Sequence, residues 1–274
     1  MRDEDFENLH HLEDTYWWFV GMRDVQAALL DPVLASARPM LRPERERVVL
    51  DLGCGTGANL TWLRRYTADT SVSGLDVVEQ ALRFCRSRGD EDVVLASATD
   101  LPYADGCCDI ATSFDVLVQI PGEGADQHAL VEMHRVMRPG GVAFVRGAAY
   151  EWMRSAHDDA LHTQRRYTLG RLSQLARDAG FEVVRGTYAN TLLFPVAAVR
   201  RLVLMRLGVA AADSDVKPMP RGLQWTNRLL VGALRLEARL LSKPWGRLPF
   251  GLSTIVVLRK PFDTMPAGAA VITR

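Results

Sequence analysis

The sequence predicts an α/β fold, a parallel sheet wound with helices on both faces, and three observations carry that prediction. The run Val48 to Leu52 has the length and β-branched content of a strand buried on both sides. It ends at Asp51-Leu52 and breaks into Gly53-Cys54-Gly55-Thr56-Gly57, after which Ala58 to Tyr66 places apolar residues at helical spacing. At 274 residues, the chain is long enough to bury a full core. The first unit is therefore strand, tight turn, helix, with glycines where the backbone must turn sharply or a ligand must come close.

That turn alone fits two ligand classes. Gly53, Gly55 and Ala58 satisfy the G-x-G-x-x-A form of a nicotinamide-binding turn. Against it, Asp51 sets a carboxylate beside the ligand, which suits an ammonium group and repels a pyrophosphate, and Gly57 has no use in a dinucleotide turn.

The pattern Asp51-x-Gly53-x-Gly55-x-Gly57 resembles the first motif of class I S-adenosylmethionine-dependent methyltransferases, and the following elements come in that family's order. Ser71 to Asp76 reads as a second strand ending in an acid, about 20 residues past the glycines, where a carboxylate can accept both ribose hydroxyls. Glu79 to Arg86 is the next helix and Val93 to Ala96 the third strand. Ala98-Thr99-Asp100-Leu101-Pro102-Tyr103 looks like the loop over the adenine. Asp109 to Asp115 is the fourth strand and Gln127 to Arg138 a helix. Pro139-Gly140-Gly141 turns into a fifth strand, Val142 to Val145. Leu172 to Ala179 and Gly180 to Val184 supply the last helix and sixth strand, and Phe250 to Leu258 a seventh. The resemblance covers residues 46 to 190 and implies a doubly wound, seven-stranded, mostly parallel Rossmann-like sheet that binds S-adenosyl-L-methionine. The cofactor residues it implies are Asp51, Gly53, Gly55, Asp76, Val77, Ala98, Thr99 and Asp115, with Tyr16 and Arg23 from the N-terminal segment.

Two positions depart from the pattern. Ser97 stands where an aspartate often faces the adenine amino group, which leaves that bond weaker or made by Asp100. Val118-Gln119 stands where Glu-His is frequent, so a base must come from elsewhere.

Composition narrows the partners. Lys plus Arg and Asp plus Glu are equal at 33 each, so there is no broad cationic footprint for nucleic acid. Lysine occurs only at 217, 243 and 260, an arginine bias read as that of a GC-rich genome. Cys54, Cys85, Cys107 and Cys108 lack metal-ligand spacing, so no metal is expected and Cys54 is read as a small apolar filler. Residues 1 to 14 are acidic and histidine-bearing and do not read as a signal peptide, so the expected compartment is the reducing cytoplasm.

The expected organisation is an N-terminal helical lid (1–45), a cofactor-binding core (46–190), a helical cap insertion (191–249), and the last strand with a C-terminal tail (250–274). Residues 3–19 and 22–34 read as two amphipathic segments separated at Val20-Gly21. Tyr16-Trp17-Trp18-Phe19 cannot all face one core, so some of that cluster faces a ligand, a lid or another chain. A Trp-Trp-Phe followed by an arginine resembles a subset of these methyltransferases with leading helices over the cofactor, in which Arg23 would fork onto the methionine carboxylate. Between strand five and its helix, the polar stretch from Tyr150 to Tyr167 holds His157 and His162. Histidine suits proton transfer near neutrality. His157 is the first candidate base and His162 the second, with Arg165 and Tyr167 orienting the acceptor.

The insertion offers two amphipathic helices, Leu192 to Leu207 and Leu223 to Leu241, both interrupted by arginines and so not membrane spans. It caps the site, forms a homodimer contact or rests on a membrane surface, in that order of preference. The expected activity is methyl transfer to a small or amphiphilic molecule of natural-product, glycan or lipid metabolism. A cofactor-bound protein that does not methylate, such as a cyclase or a scaffold, and a nicotinamide-dependent reductase remain the alternatives.

Overall fold

A computed structural model describes residues 3–67, 71–155, 158, 162–199 and 224–262, residues 3–5 by their backbone. The elements in chain order are α1 (Asp3–Leu12), α2 (Trp17–Ala37), β1 (Val49–Leu52), α3 (Ala58–Leu63), β2 (Val72–Asp76), α4 (Glu79–Ser87), β3 (Val93–Leu95), β4 (Cys108–Phe114), α5 (Ala125–Val136), β5 (Met137–Ala148), α6 (Leu169–Asp178), β6 (Glu182–Ala189), α7 (Phe194–Val199), α8 (Gln224–Leu241) and β7 (Ser253–Arg259). The seven strands form one sheet in the order β3-β2-β1-β4-β5-β7-β6. All neighbours are parallel except β7, which runs antiparallel to both β5 and β6. The order reverses between β1 and β4, and such a switch point opens a crevice at the carboxyl ends of the strands.

Strand burial follows the two-sided cover. All of β1 and β4 is buried, as unbroken apolar runs in parallel sheets require. One core lies between the sheet and α2, α3, α4 and α8, the other between the sheet and α5 and α6.

Three expectations change. Val20-Gly21 does not separate the N-terminal segments; α2 runs through it, and the break comes earlier, at Glu13 to Tyr16. A side chain at Gly21 would meet Leu234 of α8 at 2.5 Å, so this glycine serves helix contact and not a turn. Second, α2 in the expected N-terminal lid is anchored in the core: Val25, Leu29, Leu30 and Ala37 are wholly buried against the sheet. Third, the insertion's second helix packs along α2, fixed by Asn227, which accepts from Trp17 N (2.7 Å) and donates to Thr15 O (3.0 Å). Of its first helix, only Phe194–Val199 lies within the described residues. Glu237 of α8 accepts from the backbone N–H groups of Asn190 (2.8 Å) and Leu192 (2.7 Å), which anchors the chain leaving β6. No helix among the described residues is long and apolar enough to cross a membrane.

Candidate active site

Asp51 sits inside β1 with no exposed surface, in register with Thr112 of β4. The Thr112 hydroxyl donates to Asp51 Oδ1 at 2.6 Å. The other oxygen, Oδ2, is buried and has no protein partner. Burial pushes this carboxyl up to about 7, against the opposing pull of the Thr112 bond and of Arg146.

The glycine turn follows with φ of 75°, 54° and 90° at Gly53, Gly55 and Gly57, all left-handed. A Cβ on Gly53 would strike Val116, and one on Gly57 would press Cys85 Sγ at 3.1 Å. At Gly55 a Cβ would meet nothing within 4 Å, so that face is open. Two of the glycines thus serve packing, and the middle one fronts the crevice.

Asp76 closes the crevice from β2. Its oxygens accept from Gly55 N and Val78 N, each at 3.0 Å, which fixes the carboxylate plane and leaves lone pairs toward the opening. Burial raises its pKa, and the backbone bonds lower it. The next residue, Val77, is 67% exposed, an apolar shelf beside that carboxylate. Across from it, Ala98 is buried and the Ser97 and Thr99 hydroxyls bond each other at 2.7 Å, so the Ser97 oxygen is engaged in its own turn.

On the other side of Asp51, Asp115 adopts φ 60° just past β4 and accepts both Nε (2.9 Å) and Nη2 (2.6 Å) of Arg146 through one oxygen. Arg146 is buried, and its guanidinium lies 4.7 Å from the Trp18 ring centre and 5.3 Å from that of Phe114. Asp115, expected at the cofactor, is thus engaged with this cation. The N-terminal segment closes the third side. Glu13 accepts from the Thr56 hydroxyl, Arg88 Nη2 stands 3.5 Å from its carboxylate, and Arg23 Nη2 donates to its backbone oxygen at 2.8 Å. Burial pushes Glu13 up to about 7 and pulls Arg23 below the usual arginine value. Tyr16, at the same junction, lines a cavity of about 460 Å³ with Leu12, Thr15, Gln224, Trp225, Asn227 and Arg228.

The residues expected to handle the acceptor fare differently. His157 lies outside the described residues, and His162 is exposed with φ 54°. Tyr167 corrects its expectation: it is fully buried, and its hydroxyl donates to Asp126 Oδ2 at 2.9 Å, which clamps the loop onto α5 and leaves no atom for an acceptor. Arg165 likewise donates to Gly122 O (2.6 Å) and pairs with Asp126 (3.2 Å). Their polarity belongs to loop anchoring. The loop does lie beside Val118, whose carbonyl accepts from Gln164 N (2.7 Å) and Arg165 N (3.3 Å).

Two residues of this crevice escape the sequence reading. Arg146 has a signal, a cation ending the apolar run Val142 to Val145. Glu13 has none, because its partner Thr56 lies 43 residues away.

Residues 50–145 match the family model of the methyltransferase domain. With the strand order, this makes residues 50–145 a methyltransferase domain within a Rossmann-like, seven-stranded sheet. Methyltransferase GfsG of Streptomyces halstedii is 37% identical over 126 residues, 41% of this chain and 44% of its own length. The fatty-acid O-methyltransferase of Mycolicibacterium smegmatis is 31% identical over 153 residues, 52% and 50% of the two chains. The chain therefore spans half or less of the length of these curated relatives. Among solved structures, the methyltransferase complexed with the Trm112 activator of Haloferax volcanii superposes over 92% of both chains with a TM-score of 0.53 at 21% identity, a likeness of fold.

Proposed function

We propose that the protein binds S-adenosyl-L-methionine in this crevice and transfers its methyl group to a small or amphiphilic acceptor. The observation that carries the reading is the buried, unpartnered Asp51 Oδ2 beside the open face of Gly55 and the Asp76 carboxylate. A buried acceptor oxygen left unpaired is costly, and a ligand ammonium group would relieve it. Asp76 would take the ribose hydroxyls, Val77 would lie against the adenine, and Ala98 and Thr99 would bound its edge. Arg23 is the candidate for the methionine carboxylate, with Tyr16 beside it. Asp115 acts on this site through Arg146, whose charge lies near Asp51.

Bound, the cofactor supplies the electrophilic methyl group. What the chain then provides is alignment and exclusion of water. For a hydroxyl or carboxyl acceptor the loop that carries His157 and His162 supplies any base, and its attachment to Val118 supports that assignment. The fatty-acid relative supports an amphiphilic acceptor. Calorimetry with S-adenosylmethionine, followed by S-adenosylhomocysteine release against fatty acids and small hydroxylated acceptors, tests the reading. No cofactor binding by the wild-type chain would end it.

A further inference from the structure

We propose that the outer face of α8 docks on an anionic lipid bilayer. Trp225, Leu229, Gly232, Leu236 and Leu240 recur at i, i+4, i+7, i+11 and i+15. At 3.6 residues per turn, these positions share one strip of about a quarter of the helix circumference. From Leu229 on, that strip faces away from the core, and Trp225 at its start also borders the cavity beside Tyr16. Trp225, Leu229 and Leu236 are 60%, 62% and 59% exposed, while the opposite side, Val231, Leu234, Ala238 and Leu241, is buried against α2 and the sheet. Scattered exposed leucines need no explanation, but a contiguous helical strip does.

Charge selects the occupant. Arg228, Arg235 and Arg239, at i, i+7 and i+11, form a row alongside the apolar strip, and Lys243 and Arg247 extend it past the helix end next to Trp245, which is 71% exposed. Arg235 pairs with Asp24 of α2 at 2.9 Å, and the other four are exposed. The single acid from 224 to 248 is Glu237, which is buried and turned inward onto Asn190 and Leu192. In a chain with no net charge, this surface is locally cationic. A helix with an apolar face, tryptophan at its margin and arginines beside it is the design of an interfacial helix. A second copy packed antiparallel on the same face would bring the arginine rows together.

The experiment is flotation of the full chain with vesicles of phosphatidylcholine containing one-third phosphatidylglycerol, and with phosphatidylcholine alone. It needs neither cofactor nor acceptor, so its outcome is separate from that of the proposed activity. The wild type should float with the anionic vesicles, and raised salt should weaken that binding. Leu229→Glu with Leu236→Glu should lose at least tenfold in partitioning. If that double variant does not fold, Arg239→Gln with Lys243→Gln decides instead, with an expected loss of about fivefold per cation. Absence of flotation overturns the proposal, as does equal flotation by wild type and variants. So does a lipid-free dimer split by Leu229→Glu without vesicle binding, which would give the face to a second copy.

Discussion

Replacing Asp51 by asparagine should make the ligand-free protein more stable at pH 8 and a worse cofactor binder. The Asp51 carboxyl is moved by burial from 3.8 to about 7. Ionising it in the folded state therefore costs about 4 kcal/mol more than in the unfolded chain. Because the folded pKa is the higher one, the folded state holds the proton over that interval. The resulting stability is fully present below about pH 4 and is lost as pH rises to about 7. At pH 8 the wild type bears the whole cost. Asparagine keeps an acceptor for the Thr112 hydroxyl but buries an amide N–H₂ where Oδ2 had no partner, a penalty of about 1–3 kcal/mol. The net gain is about 1–3 kcal/mol at pH 8, or a few degrees of melting temperature at about 2–4 °C per kcal/mol. Only below about pH 4, where Asp51 is protonated in the unfolded chain as well, does the amide penalty stand alone and the order reverse; at pH 5 roughly 1.5 kcal/mol of the cost is already borne and the two proteins are close in stability. Cofactor affinity should fall about tenfold or more, the loss of a hydrogen bond to a charged group worth about 1.5–3 kcal/mol. Melting curves of both proteins at about pH 3.5 and at pH 8, with calorimetry at pH 8, check each of these outcomes. An Asn variant that is less stable than wild type at both pH values would refute the burial cost at Asp51, and one that binds cofactor as tightly would refute the placement of the ammonium group there.

Asp76→Ala should weaken S-adenosylmethionine by about 1.5–3 kcal/mol in calorimetry, since the ribose acceptor is lost. Gly55→Val should bind less still, both because φ is 54° and because its side chain would enter the open face. Tyr167→Phe strips the buried Asp126 carboxylate of a donor and should lower stability by about 1–3 kcal/mol in denaturant titration, with cofactor affinity unchanged. His157→Ala or His162→Ala should reduce turnover by about 10²–10⁴ for a hydroxyl acceptor at constant cofactor affinity, and full turnover in both would remove the loop from the chemistry.

The strand, turn and helix around Gly53 to Gly57 are legible because their causes are local: a buried run, an acid, and glycines that the chain needs at positive φ. Strand six reads too short in the sequence, because its last residues, Arg185 to Ala189, extend only by pairing with Val257 to Ser253 of β7 far along the chain. Gly21 reads as a break because a glycine within a helical pattern ordinarily weakens it. What it answers is Leu234, more than 200 residues on. Tyr167 and Arg165 read as orienting the acceptor because they sit in a polar stretch, yet polarity in sequence does not say whether a group faces an acceptor or satisfies a buried acid. Asp126 decides that, from another helix.

The same distinction explains why three acids gather at one crevice. Asp51, Asp76 and Glu13 are close enough that Asp76 and Glu13 both raise Asp51, and burial raises all three. Folding alone gives no reason to bring buried acids together, since each resists ionisation and opposes the others. The cations nearby offset the cluster only in part, and Arg88, 3.5 Å from Glu13, is shared with Asp14 at 2.9 Å. Arg146 is held by Asp115, and Arg23 gives a hydrogen bond to the Glu13 carbonyl. A ligand that is cationic at both its sulfonium and its ammonium group would lower the cost of ionising these acids. Occupancy should therefore shift the pH at which the protein is most stable upward, in the direction opposite to the destabilisation that these acids impose on the free chain.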